Sequence, residues 1–121
     1  PAEGGGVAVN PFTVPERVFV SSAPRDMRAV IAALARTVCA ECGGDPLDGA
    51  LYVFVSRDRR RCKMLRHEAG WWCMWTLTPA PGTFRWRHSG PGSAPVEVDR
   101  AALLALLSGL DPMAAMRARG R

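Results

Sequence analysis

Lysine is almost missing from this chain: Lys63 stands alone against fifteen arginines in 121 residues, and tyrosine is represented only by Tyr52. The bias toward Arg, Ala, Gly and Pro is what a GC-rich genome produces. Arginine nevertheless supplies planar, bidentate donors suited to phosphates and guanine edges. Long apolar runs are also lacking. No stretch approaches the ~18 residues a membrane-crossing helix needs. The first residues, Pro1-Ala2-Glu3-Gly4-Gly5-Gly6, have neither the basic start nor the apolar region of a secretory signal, so a soluble cytoplasmic protein is expected. Histidine is confined to His67 and His88, both in expected loops and neither accompanied by a Ser or Cys nucleophile pattern. Asp26, Asp45, Asp48 and Asp99 are scattered among turns and helix starts, where each has a structural use, so a two-metal nuclease centre is not expected. The chain reads as a non-enzyme that requires no cofactor.

Cysteines are too few for a disulfide scaffold. Cys39, Cys42, Cys62 and Cys73 read as reduced thiols, because small disulfide-rich domains are secreted and far denser in cysteine. Cys39-Ala40-Glu41-Cys42 is formally a CxxC pair, and Cys62, Cys73 and His67 could complete a zinc site. The second pair is spaced by ten residues and lacks the knuckle pattern, so cysteines packed as small hydrophobes, with no metal, are the expectation. A redox role fares no better, since the CxxC closes a helix instead of opening one.

Positive charge, by contrast, is concentrated. Between Leu51 and Arg87 stand Arg57, Arg59, Arg60, Arg61, Lys63, Arg66, Arg85 and Arg87 against Asp58 and Glu68, a local charge of +6 beside +5 for the whole chain. A cationic patch recruits polyanions and speeds encounter with them, and nucleic acid is the commonest. Trp71, Trp72, Trp75 and Trp86 are interleaved with it. Large aromatics usually fill cores, so burial is expected for each in general. Trp86, between Arg85 and Arg87, is the best candidate for an exposed, base-stacking ring.

With 48% hydrophobic residues the chain can build one core without staples. Residues 1–16 read as a flexible Gly/Pro-rich tail, 17–111 as the domain and 112–121 as a basic tail. Arg17 to Ser21 reads as a short strand. Ser22 could cap a helix with Pro24 and Asp26 in its first turn, in which Met27, Val30, Ile31, Leu34 and Val38 share one face. Gly43-Gly44 ends it. Leu51 to Val55, apolar on both faces, is expected as a central strand. Cys62 to Arg66 and Trp71 to Leu77 follow as hairpin strands around His67-Glu68-Ala69-Gly70, with a further short strand over Thr83 to Trp86. Val96 to Val98 reads as an edge element, and Asp99 as the cap of a helix carrying Leu103, Leu106, Leu107 and Leu110. The expected fold is α+β: a single curled antiparallel sheet, a meander of hairpins, flanked by one helix in the N-terminal half and one at the C-terminus.

The order of motifs adds a resemblance. Asp26-Met27-Arg28, Asp48-Gly49-Ala50-Leu51-Tyr52-Val53-Phe54, the Arg-rich turn, Lys63-Met64-Leu65, Gly70-Trp71-Trp72-Cys73-Met74-Trp75, Gly82-Thr83-Phe84-Arg85-Trp86 and Leu106-Leu107-Ser108-Gly109-Leu110-Asp111 follow one another over Val18 to Asp111. In this the chain resembles the TnpB accessory proteins of the IS-sixty-six insertion sequences. The chain departs from that pattern at Arg66-His67, where the family usually has an aromatic-acidic pair, and at Arg87, where it tends to have proline. The resemblance implies a small bacterial protein that assists DNA transposition beside a separate transposase holding the cutting site, with transposon-end DNA, the transposase and other accessory proteins as partners. Two readings follow. In one, Arg57, Arg59, Arg60, Arg61 and Lys63 contact phosphates, Arg85, Trp86 and Arg87 extend the surface, and Arg117, Arg119 and Arg121 add reach. In the other, the chain is a protein adaptor within the transposase complex that makes no DNA contact.

Overall fold

The computed structural model describes residues 14–41, 43–79, 82–90 and 92–119. Five strands, β1 (Val18–Val20), β2 (Leu51–Val55), β3 (Cys62–Glu68), β4 (Trp71–Leu77) and β5 (Val96–Val98), form one open sheet in the order β4-β3-β2-β1-β5. Three helices, α1 (Ile31–Glu41), α2 (Arg100–Leu107) and α3 (Pro112–Arg119), cover it. The α+β class and the β2-β3-β4 meander are as the sequence leads one to expect. The sheet, however, is mixed. β1 runs parallel to β2, with Val18 beside Leu51 and Val20 beside Val53, because α1 carries the chain back to the starting end between them.

Alternation sends each strand's side chains into two cores. Val53, Val55, Cys62 and Met64 point to one face, where Phe84, Trp86, Ala102, Leu103 and Leu106 meet them. Tyr52, Phe54 and Leu65 point to the other, against Met27, Leu34 and Val38. β2 is buried along its full length, since a strand sandwiched between β1 and β3 and covered on both faces has no solvent side. Asp99 caps α2 as expected, its carboxylate accepting the Ala102 N–H at 2.8 Å.

Local readings shift in several places, β3 taking in His67 and Glu68 and α2 stopping at Leu107, short of Leu110. The first helix begins at Ile31, not near Pro24, because Asp26 closes its own turn by accepting the Arg28 N–H at 2.9 Å. Residues 83–86 form no strand. Pro112–Arg119, expected as a tail, is α3. Asp111 accepts the Met113 N–H at 2.9 Å and Pro112 supplies a first helical turn with no amide to leave unpaired, while Met113 and Met116 pack on the core. Val14, within the expected N-terminal tail, also packs on the core, and its carbonyl accepts Arg100 Nε at 2.8 Å. The remaining residues of that tail, 1–13, lie outside the described residues.

Candidate nucleic-acid interface

The turn between β2 and β3 is a rigid platform. Ser56 N–H donates to the Arg61 carbonyl at 2.9 Å, and Arg59 N–H to the Ser56 carbonyl at 3.0 Å. Inside that frame Ser56 Oγ donates to Asp58 Oδ1 at 2.7 Å and accepts the Arg61 N–H at 3.1 Å, while the same carboxylate oxygen takes the Arg60 N–H at 3.0 Å. The hydroxyl and amide donors, with Arg61 and Arg60 nearby, hold the Asp58 carboxyl below its ordinary pKa, so it stays ionised and keeps the turn closed. The N–H groups of Ser56, Arg59, Arg60 and Arg61 are all satisfied within the turn. Arg57, Arg59, Arg60 and Arg61 are therefore all free to project, and all are exposed.

Arg59 has φ +60, a left-handed conformation that costs a non-glycine residue on the order of 1 kcal/mol. The twist aims its carbonyl at the segment after β4, where it accepts the Phe84 N–H at 2.8 Å. That segment is stapled across the ends of β1 and β2: Trp86 Nε1 donates to the Ser21 carbonyl at 3.2 Å, His88 Nε2 contacts the Val55 carbonyl at 3.2 Å, and Ser89 N–H donates to the Ser22 carbonyl at 2.8 Å. Extended backbone then alternates. Phe84 and Trp86 turn inward, and Arg85 and Arg87 turn outward.

The result is a groove of about 760 Å³ that brings together Arg59 from the turn, Arg85 and Arg87 from the stapled segment and Arg117 from α3. Asp111 is the acidic residue on its wall, 3.7 Å from Arg117, too long for a strong pair. A second cavity of about 520 Å³ beside it joins Arg25 and Arg57 to His88. Burial, with the Arg59 and Arg57 charges adding to it, lowers the His88 pKa, so the ring is neutral at pH 7. Three stretches distant in sequence thus meet at one end of the sheet because the parallel β1 and β2 both finish there, where the β2-β3 turn begins.

Two of the candidate residues are buried, although Trp86 also lines the groove. Lys63 is 8% exposed and donates its ammonium to the Ala29 carbonyl at 2.8 Å, anchoring the segment before α1. Trp86, expected to be exposed, is 4% exposed and sits in the core. Its flanking arginines are what alternation leaves outside, and they made the position look like surface. The exposed tryptophans are instead Trp71, at 62%, and Trp72, at 36%, on the opposite end of the sheet, Trp72 edge-on to His67 at 4.8 Å. Arg66 is buried beside β4, with its guanidinium 3.0 Å from Glu68. Arg25, which sequence reading passed over, carries no local signal and enters only through the fold. The Asp111-Pro112 pair, a helix-start pattern, could have placed Arg117 on a helix. The side chain of Arg119, and the whole of Arg121, lie outside the described residues.

The carboxylates have other work. Asp26 holds Arg28 in a two-pronged pair at 2.8 and 3.1 Å, Asp45 accepts the Leu47 N–H at 2.9 Å, and Asp48 accepts the Ala50 N–H at 2.9 Å and the Tyr52 hydroxyl at 3.1 Å. Cys39 is exposed, Cys73 half-buried and Cys62 buried, its thiol pushed up to about 12 by desolvation; Cys42 lies outside the described residues. Among the described residues no three His, Cys, Asp or Glu side chains converge as metal ligands would. This end of the molecule offers cationic donors on an ordered frame.

Comparison with known proteins agrees with the motif order. The uncharacterized protein y4hO of Sinorhizobium fredii (strain NBRC 101917 / NGR234) is 32% identical over 95 residues, covering 78% of this chain and 81% of that protein. No solved structure matches the chain. The family model described as IS66 Orf2 like protein matches residues 16–117, from the lead into β1 to the arginine on α3 that lines the groove, and the chain belongs to that family.

Proposed function

We propose that this accessory protein of IS66-type transposition binds DNA without cutting it, through the basic end of its sheet, with the ends of the mobile element as the natural target. Membership of the family supports a role beside the transposase. The observation that carries the reading is the convergence of Arg59, Arg85, Arg87 and Arg117 on one groove, with Arg25, Arg57 and Arg61 lining the cavities around it. Guanidinium groups on a hydrogen-bonded turn can take phosphate oxygens with two parallel donors each and little reordering. Donors of this kind serve phosphate more than base edges, so phosphate contact dominates and sequence preference is modest.

The test is binding of the full chain to labelled terminal-repeat DNA and to unrelated DNA across a salt series, beside a variant with Arg59, Arg85, Arg87 and Arg117 all changed to alanine. If the four arginines each neutralise one phosphate, the logarithmic salt slope falls by about 3.6, which is a loss of roughly 150-fold in the salt sensitivity between 50 and 200 mM. Arg36→Ala, on the exposed face of α1, should leave the slope unchanged. An unaltered slope in the fourfold variant would remove the groove from the interface. The exposed Trp71 favours a second reading, an adaptor that docks on the transposase. A salt-insensitive complex with purified transposase, together with no DNA retardation at low salt, would select it.

A further inference from the structure

The two edges of the sheet are built differently. β5 is three residues long, carries Glu97 at its centre and is bridged to Arg17 at 3.6 Å, the short charged edge that discourages pairing with other chains. β4 is seven residues long and reads Trp-Trp-Cys-Met-Trp-Thr-Leu, with no charge and no proline. Its register with β3 is unbroken from Trp71 opposite Glu68 to Leu77 opposite Cys62, so no bulge bends it away. Among the described residues, β3 is its one ladder partner. A long, flat, uncharged edge is a template for another strand.

The charges select which strand. The Leu77 end of β4 lies beside the arginine turn, through Cys62. Its Trp71 end lies beside Glu68, which pairs with Arg66 at 3.0 Å, next to the turn holding Asp45 and Asp48, whose pocket Arg17 also lines, so this end carries three carboxylates against two arginines. We propose that β4 pairs antiparallel with β4 of a second copy, across a two-fold axis perpendicular to the sheet, and joins two five-stranded sheets into one. In that orientation the arginine turn of each copy meets the weakly acidic Trp71 end of the other, away from the second arginine turn. Parallel pairing would set the two arginine turns side by side. With full overlap centred on Met74, Trp72 faces Thr76 and Cys73 faces Trp75, pairs of aromatic with small or soft side chains that a sheet favours. The two Cys73 residues then lie diagonally, about 7–8 Å apart. Taken with the DNA-binding reading, on which this consequence alone rests, the basic ends of the dimer point in opposite directions, so one dimer reaches two duplex segments.

The experiment is sedimentation velocity of the full chain without DNA over a concentration series, beside the double variant Trp72→Lys/Thr76→Lys, with circular dichroism to check folding. A wild-type dimer and a folded, monomeric double variant are expected. Crosslinking supplies a measurement that needs no strand mutation. In a Cys39→Ser/Cys42→Ser background, with Cys62 buried and unreactive, a short bismaleimide should join two chains through Cys73, and Cys73→Ser should abolish the product. A wild type that stays monomeric throughout, a dimer that survives both lysines, or a dimer that fails to crosslink through Cys73 would each overturn the proposal. The result is independent of DNA, so it stands or falls separately from the groove.

Discussion

Trp86 is where a core role and a binding role make opposite forecasts. The ring is 4% exposed, packs with Val53, Val55 and Leu103 in the same cluster, and its indole N–H satisfies the Ser21 carbonyl at 3.2 Å. Trp86→Ala should therefore cost about 3–5 kcal/mol, the range for emptying a large aromatic site, and lower the Tm by roughly 10–20 °C for a domain of this size. Trp86→Phe keeps most of the apolar volume but strands the Ser21 carbonyl, so about 1–3 kcal/mol is expected. If instead the ring stacked on a base, its removal would cost about 1–3 kcal/mol of binding with little change in folding. Urea unfolding followed by circular dichroism gives the first quantity, and DNA retardation well below the midpoint gives the second. A Trp86→Phe protein of unchanged stability that has lost tenfold or more in DNA affinity would refute the placement of this ring in the core.

Other perturbations follow from the same geometry. Lys63→Met should leave the DNA salt slope unaltered while lowering the urea midpoint, because the ammonium serves the Ala29 carbonyl; a slope reduced by about one would return it to the interface. Asp99→Ala removes the donor-accepting cap of α2 and should cost about 1 kcal/mol in chemical denaturation, with DNA affinity unchanged. The hydrogen bonds from Arg28 lower the Asp26 carboxyl to about 2 from an ordinary 3.8, so its stabilising contribution is present above about pH 4 and is lost as pH falls toward 2. Asp26→Asn should lack that part of the acid transition in urea midpoints measured from pH 5 to 2. His88 has a lowered pKa, so the free protein loses stability as pH falls below the ordinary 6.5 of histidine. Phosphates beside Arg57 would raise the ring's pKa, so DNA binding should take up a proton and tighten between about pH 7 and 6; His88→Gln showing the same pH dependence would exclude it.

Patterns carried by neighbouring residues were legible in the sequence. The strands read over Leu51–Val55, Cys62–Arg66 and Trp71–Leu77 and the cap at Asp99 depend on a few positions, and the structure bears them out, with β3 running on through His67 and Glu68. What was hidden depends on distant contacts. β1 has three residues, too few to show whether its neighbour runs with it or against it, and only the return through α1 makes β1 and β2 parallel. The start of the first helix was misread for a different reason. Asp26 can cap a helix or close a turn through the same carboxylate, and the Arg28 side chain completes the turn.

The same division separates the basic turn from the basic groove. Arg57, Arg59, Arg60 and Arg61 are a run that composition alone exposes, and all are exposed in the structure. Arg85 and Arg87 join them because Arg59 adopts a positive φ and turns its carbonyl to Phe84, a commitment no propensity scale records for arginine. Arg117 joins because α3 folds back on α2, which depends on Met113 and Met116 finding the core. Lys63 is buried because β3 is covered on both faces from Cys62 to Arg66, whereas Trp86 is buried by the parity of its segment, at an inward position between two outward arginines. Charge density therefore locates the basic end of the molecule, and only packing decides which of its side chains are exposed there.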